Sequence, residues 1–158
     1  MRTIFLSLFA ALLLSPAAQA LQIESVTTVS DDHGGTLVIS SQGEAFADAG
    51  SGTSQLVASH FSPRGDGSID AELTRQRSRG GESLTSVYSG SATLAGTNPE
   101  GESVSVELEL VDVTVSRSGE GPEMSGVVII NGETLDAADL PERARTLLGR
   151  VLRLFAFD

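Results

Sequence analysis

No cysteine, lysine or tryptophan occurs in this chain of 158 residues. Without cysteine there is no disulfide, thiol nucleophile, zinc ribbon or iron–sulfur ligand, so the fold must rest on its core alone. Without lysine there is no Walker loop and no Schiff-base amine, and no G-x-G-x-x-G marks a dinucleotide site. Two histidines, His33 and His60, cannot make an H-E-x-x-H zinc site. No metal and no cofactor is therefore implied. Aromatic residues are equally sparse: beyond residue 20 they are Phe46, Phe61, Tyr88, Phe155 and Phe157. That argues against stacking platforms for bases or sugars and against the aromatic girdles of an outer-membrane barrel. Ten basic residues, all arginine, face twenty-one acids, for a formal charge of -11. Such a balance disfavours nucleic acid or an anionic membrane as the main partner.

The first twenty residues read as a cleaved secretory signal peptide. Arg2 and Thr3 are a short basic start, Ile4 to Leu14 an apolar run, and Ser15-Pro16 breaks it. Ala18-Gln19-Ala20 has the small-x-small form of a signal-peptidase site, so the mature chain is expected to begin at Leu21. The run is shorter than the about 20 residues a spanning helix needs, and a retained N-terminal anchor is the alternative reading. With no cysteine after the cleavage point, a lipid anchor is not expected. The remaining residues, 21–158, suffice for one β-rich domain that is periplasmic or extracellular, with no transmembrane segment.

What the chain does have is alternation. In Glu102–Ser116, Val104, Val106, Leu108 and Leu110 alternate with Ser103, Ser105, Glu107 and Glu109; then Val111, Val113 and Val115 take over in the opposite phase. A period of two places one apolar and one polar face on a strand. The slip predicts one long, bent strand with a bulge near Leu110. Further strands are expected over Gln22–Val29, Thr36–Ser40, Thr53–Phe61, Ser68–Gln76, Ser83–Ala95 and Met124–Ile130. The VVII run in the last suggests cover on both faces. Turns are expected at Asp31–Gly35, Ser41–Glu44, Pro63–Gly67, Gly96–Gly101 and Gly119–Pro122. Turns at this rate indicate an antiparallel meander forming a curled sheet, barrel or sandwich.

The C-terminus changes period. Leu140, Ala144, Leu147, Leu148, Val151, Leu152, Leu154 and Phe155 share an arc at about 100° per residue, opposite Glu142, Arg143, Arg145, Thr146, Arg150 and Arg153. Asp139 is expected to cap this amphipathic helix, about residues 141–155, with Pro141 in its first turn. A lone antiparallel sheet must bury one side, so the helix is expected to pack on it.

Candidate sites are few. Arg75, Arg77 and Arg79 share the parity of Ile69, Ala71 and Leu73, and three guanidinium groups on one side of a strand end suit a carboxylate or phosphate. The plainer expectation is that they pair across the sheet with Glu107 and Glu109. His33, beside Asp31 and Asp32, lacks metal-ligand spacing. His60 in a Ser-His-Asp arrangement remains open, because triads are spatial, although no G-x-S-x-G elbow occurs. Asp66–Asp70 fails the calcium-loop pattern at three ligand positions, and Arg64-Gly65-Asp66 is a three-residue match with an adhesion motif.

Taken together, the sequence points to an exported, non-enzymatic binding or accessory protein of the bacterial cell envelope, holding a small apolar or anionic ligand or a protein partner. One alternative is a small secreted hydrolase using carboxylates with His33 or His60. Another is an assembly component pairing through β edges.

Overall fold

Long strands in sequence order dominate the computed structural model, which describes residues 4–9, 21–45, 49–63, 65, 67–98, 100–118 and 121–157. Eight consecutive strands form an antiparallel meander that does not close: β2 (Leu21–Ser30), β3 (Thr36–Ala45), β4 (Ala49–Phe61), β5 (Gly67–Gly80), β6 (Ser83–Thr97), β7 (Ser103–Ser118), β8 (Gly121–Ile130) and β9 (Glu133–Asp136). A ninth strand, β1 (Ile4–Phe9), pairs antiparallel along the outside of β2. Helix α1 (Glu142–Leu152) and a 3-10 turn (Arg153–Phe157) end the chain. Of the earlier expectations, Arg64, Asp66, Phe46 and most of the leader lie outside the described residues.

The expectation of an antiparallel meander with one C-terminal helix holds, as an open sheet and not a closed barrel, and the register shows how the core is built. Two adjacent rows cross the sheet from strand to strand. One carries Val29, Leu37, Ala58, Ala71, Ala92 and Leu108; the next carries Thr27, Ile39, Leu56, Leu73, Gly90, Leu110 and Val128. Nearly all of these side chains are buried, together with Leu140, Ala144, Leu148, Val151, Leu154 and Phe155 from the C-terminal segment. Ala58, Ala71 and Ala92 are buried in the same cluster as the helix residues and the flanking Leu, Ile and Val. Burying one such large aliphatic side chain stabilises by about 1.5–3 kcal/mol.

The bulge lies two residues beyond Leu110, close to the expected place. Tyr88 pairs with Val113 and Gly90 with Leu110, so β7 carries one residue more than β6 across that interval. Asp112 absorbs the extra residue at φ 50. Leu108, Leu110 and Val113 are thereby all buried while Val111 faces solvent. Gly126 lies opposite at φ 105, and a Cβ there would stand 2.5 Å from the Asp112 carbonyl oxygen.

Four expectations need correction. Ser41–Glu44 is no turn, because β3 runs on to Ala45 in register with β4. The VVII run is not fully covered on both faces: Val128 is buried, whereas Val127 and Ile129, on the opposite face, are half-buried. Glu133–Asp136, not expected as a strand, pairs with the end of β8. Asp139 does not cap the helix; Pro141 holds the N-cap position without a side-chain hydrogen bond. The Asp139 backbone N–H is spent instead on the Asp136 carbonyl.

Candidate functional site

Helix and strands differ in length, and the candidate site lies toward the strand ends that carry Arg75, Arg77 and Arg79. β7 has 16 residues, about 50 Å at about 3.3 Å per residue. The 11 residues of α1 cover about 16 Å. Beyond the helix the inner face continues for three more rows, and its chemistry changes at once. The first row reads Ser25, Ser41, Ser54, Arg75, Tyr88 and Val113; the second Ile23, Gly43, Gly52, Arg77, Ser86, Val115 and Met124; the third Leu21, Ala45, Gly50, Arg79, Leu84, Arg117 and Pro122.

In this region a cavity of about 270 Å³ is lined by Arg75, Arg77, Arg117, Ser86, Tyr88, Leu84, Val115, Phe155 and Ala156. Arg75 marks the boundary between core and cavity. Its guanidinium donates to the Ser54 hydroxyl at 3.0 Å, and that hydroxyl also accepts from Ser41 at 2.8 Å. Its carbon Cζ lies 4.8 Å from the centroid of the Phe155 ring, within reach of a cation–π contact. Tyr88 flanks the same ring at 5.7 Å between centroids. Arg75 is half-buried, whereas Arg77, Arg79 and Arg117 are exposed. No Asp or Glu lines the cavity.

The register overturns the expected pairing of the arginines with Glu107 and Glu109. Those acids sit opposite Thr93 and Ser91, whereas Arg75, Arg77 and Arg79 face Tyr88, Ser86 and Leu84. Alternation also puts the glutamates on the outer face, since their neighbours Leu108 and Leu110 are buried. Of the three candidates, Arg75 and Arg77 line the cavity, and Arg79 stands one row out. Arg117 joins them from β7, and Ser86, Tyr88 and Phe155 complete the walls. Sequence reasoning missed these partners. Their signal was present only as parity: Ser86 and Tyr88 share a face with Ala92, but which strand they meet is a matter of register.

The histidines lie at the other end of the sheet. The Asp31 carboxylate accepts from the backbone N–H groups of His33 and Gly35, each at 2.8 Å, and from that of Ser62. Ser62 foremost, opposed by partial burial and aided by Gly35 and His33, holds the Asp31 carboxyl below its ordinary pKa. This clamp joins the β2–β3 turn to the β4–β5 connection. His60, in a bulge at φ 50, donates its backbone N–H to Asp70 at 2.8 Å, with Nδ1 3.4 Å from the same oxygen. Its side chain is 82% exposed, outside the arginine cavity. Among the described residues, no group of three His, Cys, Asp or Glu is placed to hold a metal ion. None of the described helices is long and apolar enough to cross a membrane.

No protein-family model, curated protein or solved structure matches this chain. The site therefore rests on its own geometry.

Proposed function

We propose that this chain is an exported, non-enzymatic binding protein that holds a small anionic ligand with an apolar body. One observation carries the reading: in a chain of formal charge -11, Arg75, Arg77 and Arg117 line one cavity with no carboxylate among its walls. Arginine forks match carboxylate and phosphate oxygens, and such hydrogen bonds to charged groups contribute about 1.5–3 kcal/mol each. Leu84, Val115, Tyr88 and Phe155 supply the apolar side, so the ligand class is an amphiphilic acid, not a bare inorganic anion. The cavity approaches the lower end of ligand-sized pockets, about 300 Å³.

The test is calorimetry with octanoate, benzoate, inorganic phosphate and octanol. The carboxylates are expected to bind, with octanol of the same chain length failing to do so. Equal binding of octanol and octanoate would remove the arginines from the account. Native mass spectrometry of the protein purified from its exported fraction supplies a second check, in which a retained acidic small molecule is the expected adduct.

A further inference from the structure

The two ends of the meander are protected very differently. At one end β9 has only four residues, two of them the acids Glu133 and Asp136. Its neighbour β8 is bent at Gly126 opposite the Asp112 bulge and begins Gly121-Pro122. The Gly126 carbonyl is taken by the Ala137 N–H at 2.9 Å. Short length, charge, proline and a bulge are the devices by which sheets block unwanted pairing.

At the other end β2 uses almost none of them. Its ten residues, LQIESVTTVS, include no proline, glycine, lysine or arginine and a single charge, Glu24. Leu21, Ile23 and Val26 are all more than two-fifths exposed. That edge also has a demonstrated capacity for a strand: Ile4–Phe9 pairs on it antiparallel, from Ile4 opposite Val29 to Phe9 opposite Glu24. Yet Ile4–Phe9 lies inside the segment expected to be removed on export.

We infer that Leu21–Ser30 is a self-association edge, occupied by the chain's own Ile4–Phe9 before the leader is removed and by β2 of a second copy afterwards. This rests on the export reading but not on the arginine cavity. Antiparallel pairing of β2 with itself about a two-fold axis would add on the order of ten backbone hydrogen bonds and join two sheets into one. Because β8 and β9 block the far edge, the assembly closes at two chains and does not extend into a fibre. The chemistry favours a second copy over an unrelated partner, since a two-fold pairs β2, rich in β-branched residues and with Glu24 its single charge, with the same strand.

The experiment is native mass spectrometry with sedimentation at micromolar concentration on the protein isolated after export, its N-terminus read from its mass. A dimer is expected, with the chain retaining residues 1–20 remaining monomeric. Val26→Lys, at a position 48% exposed, is expected to give a monomer with unchanged circular dichroism. Val57→Lys, equally exposed but in the middle of the sheet, should stay dimeric. If Val26→Lys fails to fold, Ile23→Lys decides in its place. A monomeric processed chain, dimers that survive both edge substitutions, a ladder of larger species, or an exported chain still carrying its leader would each overturn the inference.

Discussion

The guanidinium of Arg75 lies over the ring of Phe155, 4.8 Å from its centroid, so a residue of β5 and one from the C-terminal turn share a single contact. Phe155 is buried, and the Tyr88 ring lies 5.7 Å from it between centroids. This pair couples the helix-covered core to the open arginine end. Phe155→Ala is therefore expected to cost about 3–4 kcal/mol in urea denaturation. It should also weaken octanoate binding, because Arg75 loses the surface that orients it. Phe155→Leu, which keeps most of the apolar volume, should recover much of the stability but less of the affinity.

Arg77 and Arg117 are exposed and make no contribution to the core. Substituting either with glutamine should leave the melting temperature nearly unchanged and lower carboxylate affinity about tenfold, the loss of about 1.4 kcal/mol. The double variant should approach the affinity of octanol. Unchanged octanoate binding by the double variant would place the ligand elsewhere.

Asp31 is an acid-sensitive point of the fold. Its carboxyl is held below its ordinary pKa, chiefly by the Ser62 N–H. A group of this kind stabilises the folded state above its unfolded pKa, about 3.9, and the contribution is lost as pH falls through the lower folded value. Stability measured by denaturation is thus expected to fall below about pH 4. Asp31→Asn should cost about 1–2 kcal/mol at neutral pH and show a shallower acid decline than the parent.

Glycines divide by their surroundings. At Gly126 the backbone is at φ 105 and a Cβ would meet the Asp112 carbonyl oxygen at 2.5 Å. Gly126→Ala is expected to destabilise by at least about 2 kcal/mol, through strain at a conformation L-residues avoid together with a clash against backbone. At Gly80, where nothing stands within 4 Å of a Cβ, alanine should be neutral within about 0.5 kcal/mol. Thermal melts of the two variants side by side test the difference.

Much of the fold was legible because its signals are local. Alternation in Val104–Leu110 placed Leu108 and Leu110 inward, and the phase slip announced a bulge near Leu110, two residues from where Asp112 provides it. The apolar arc of residues 140–155 likewise matched the buried set Leu140, Ala144, Leu148, Val151, Leu154 and Phe155. Where the reading failed, a local cue met a tertiary one. Ser41-Gln42-Gly43-Glu44 resembles a turn, yet pairing on both sides by β2 and β4 holds it extended. Asp139 resembles a cap, yet the β9–helix connection engages its backbone with Asp136. The candidate site was half legible: parity singled out Arg75 and Arg77, but no parity could name Arg117 or Phe155.

By itself the sequence determined the periods of its elements, the inward side of strands that alternate clearly, the absence of cysteine and lysine, and the strong negative charge. Those properties depend on residue type and on neighbours within a few positions. Tertiary structure alone decided that the eight-strand meander stays open and that Phe155 comes to rest beneath Arg75. It also decided that Arg75 and Arg77 meet Tyr88 and Ser86 and not Glu109 and Glu107. The reason is physical: side-chain direction repeats every two residues along a strand, but register and cover are set by pairings and packing between residues tens of positions apart.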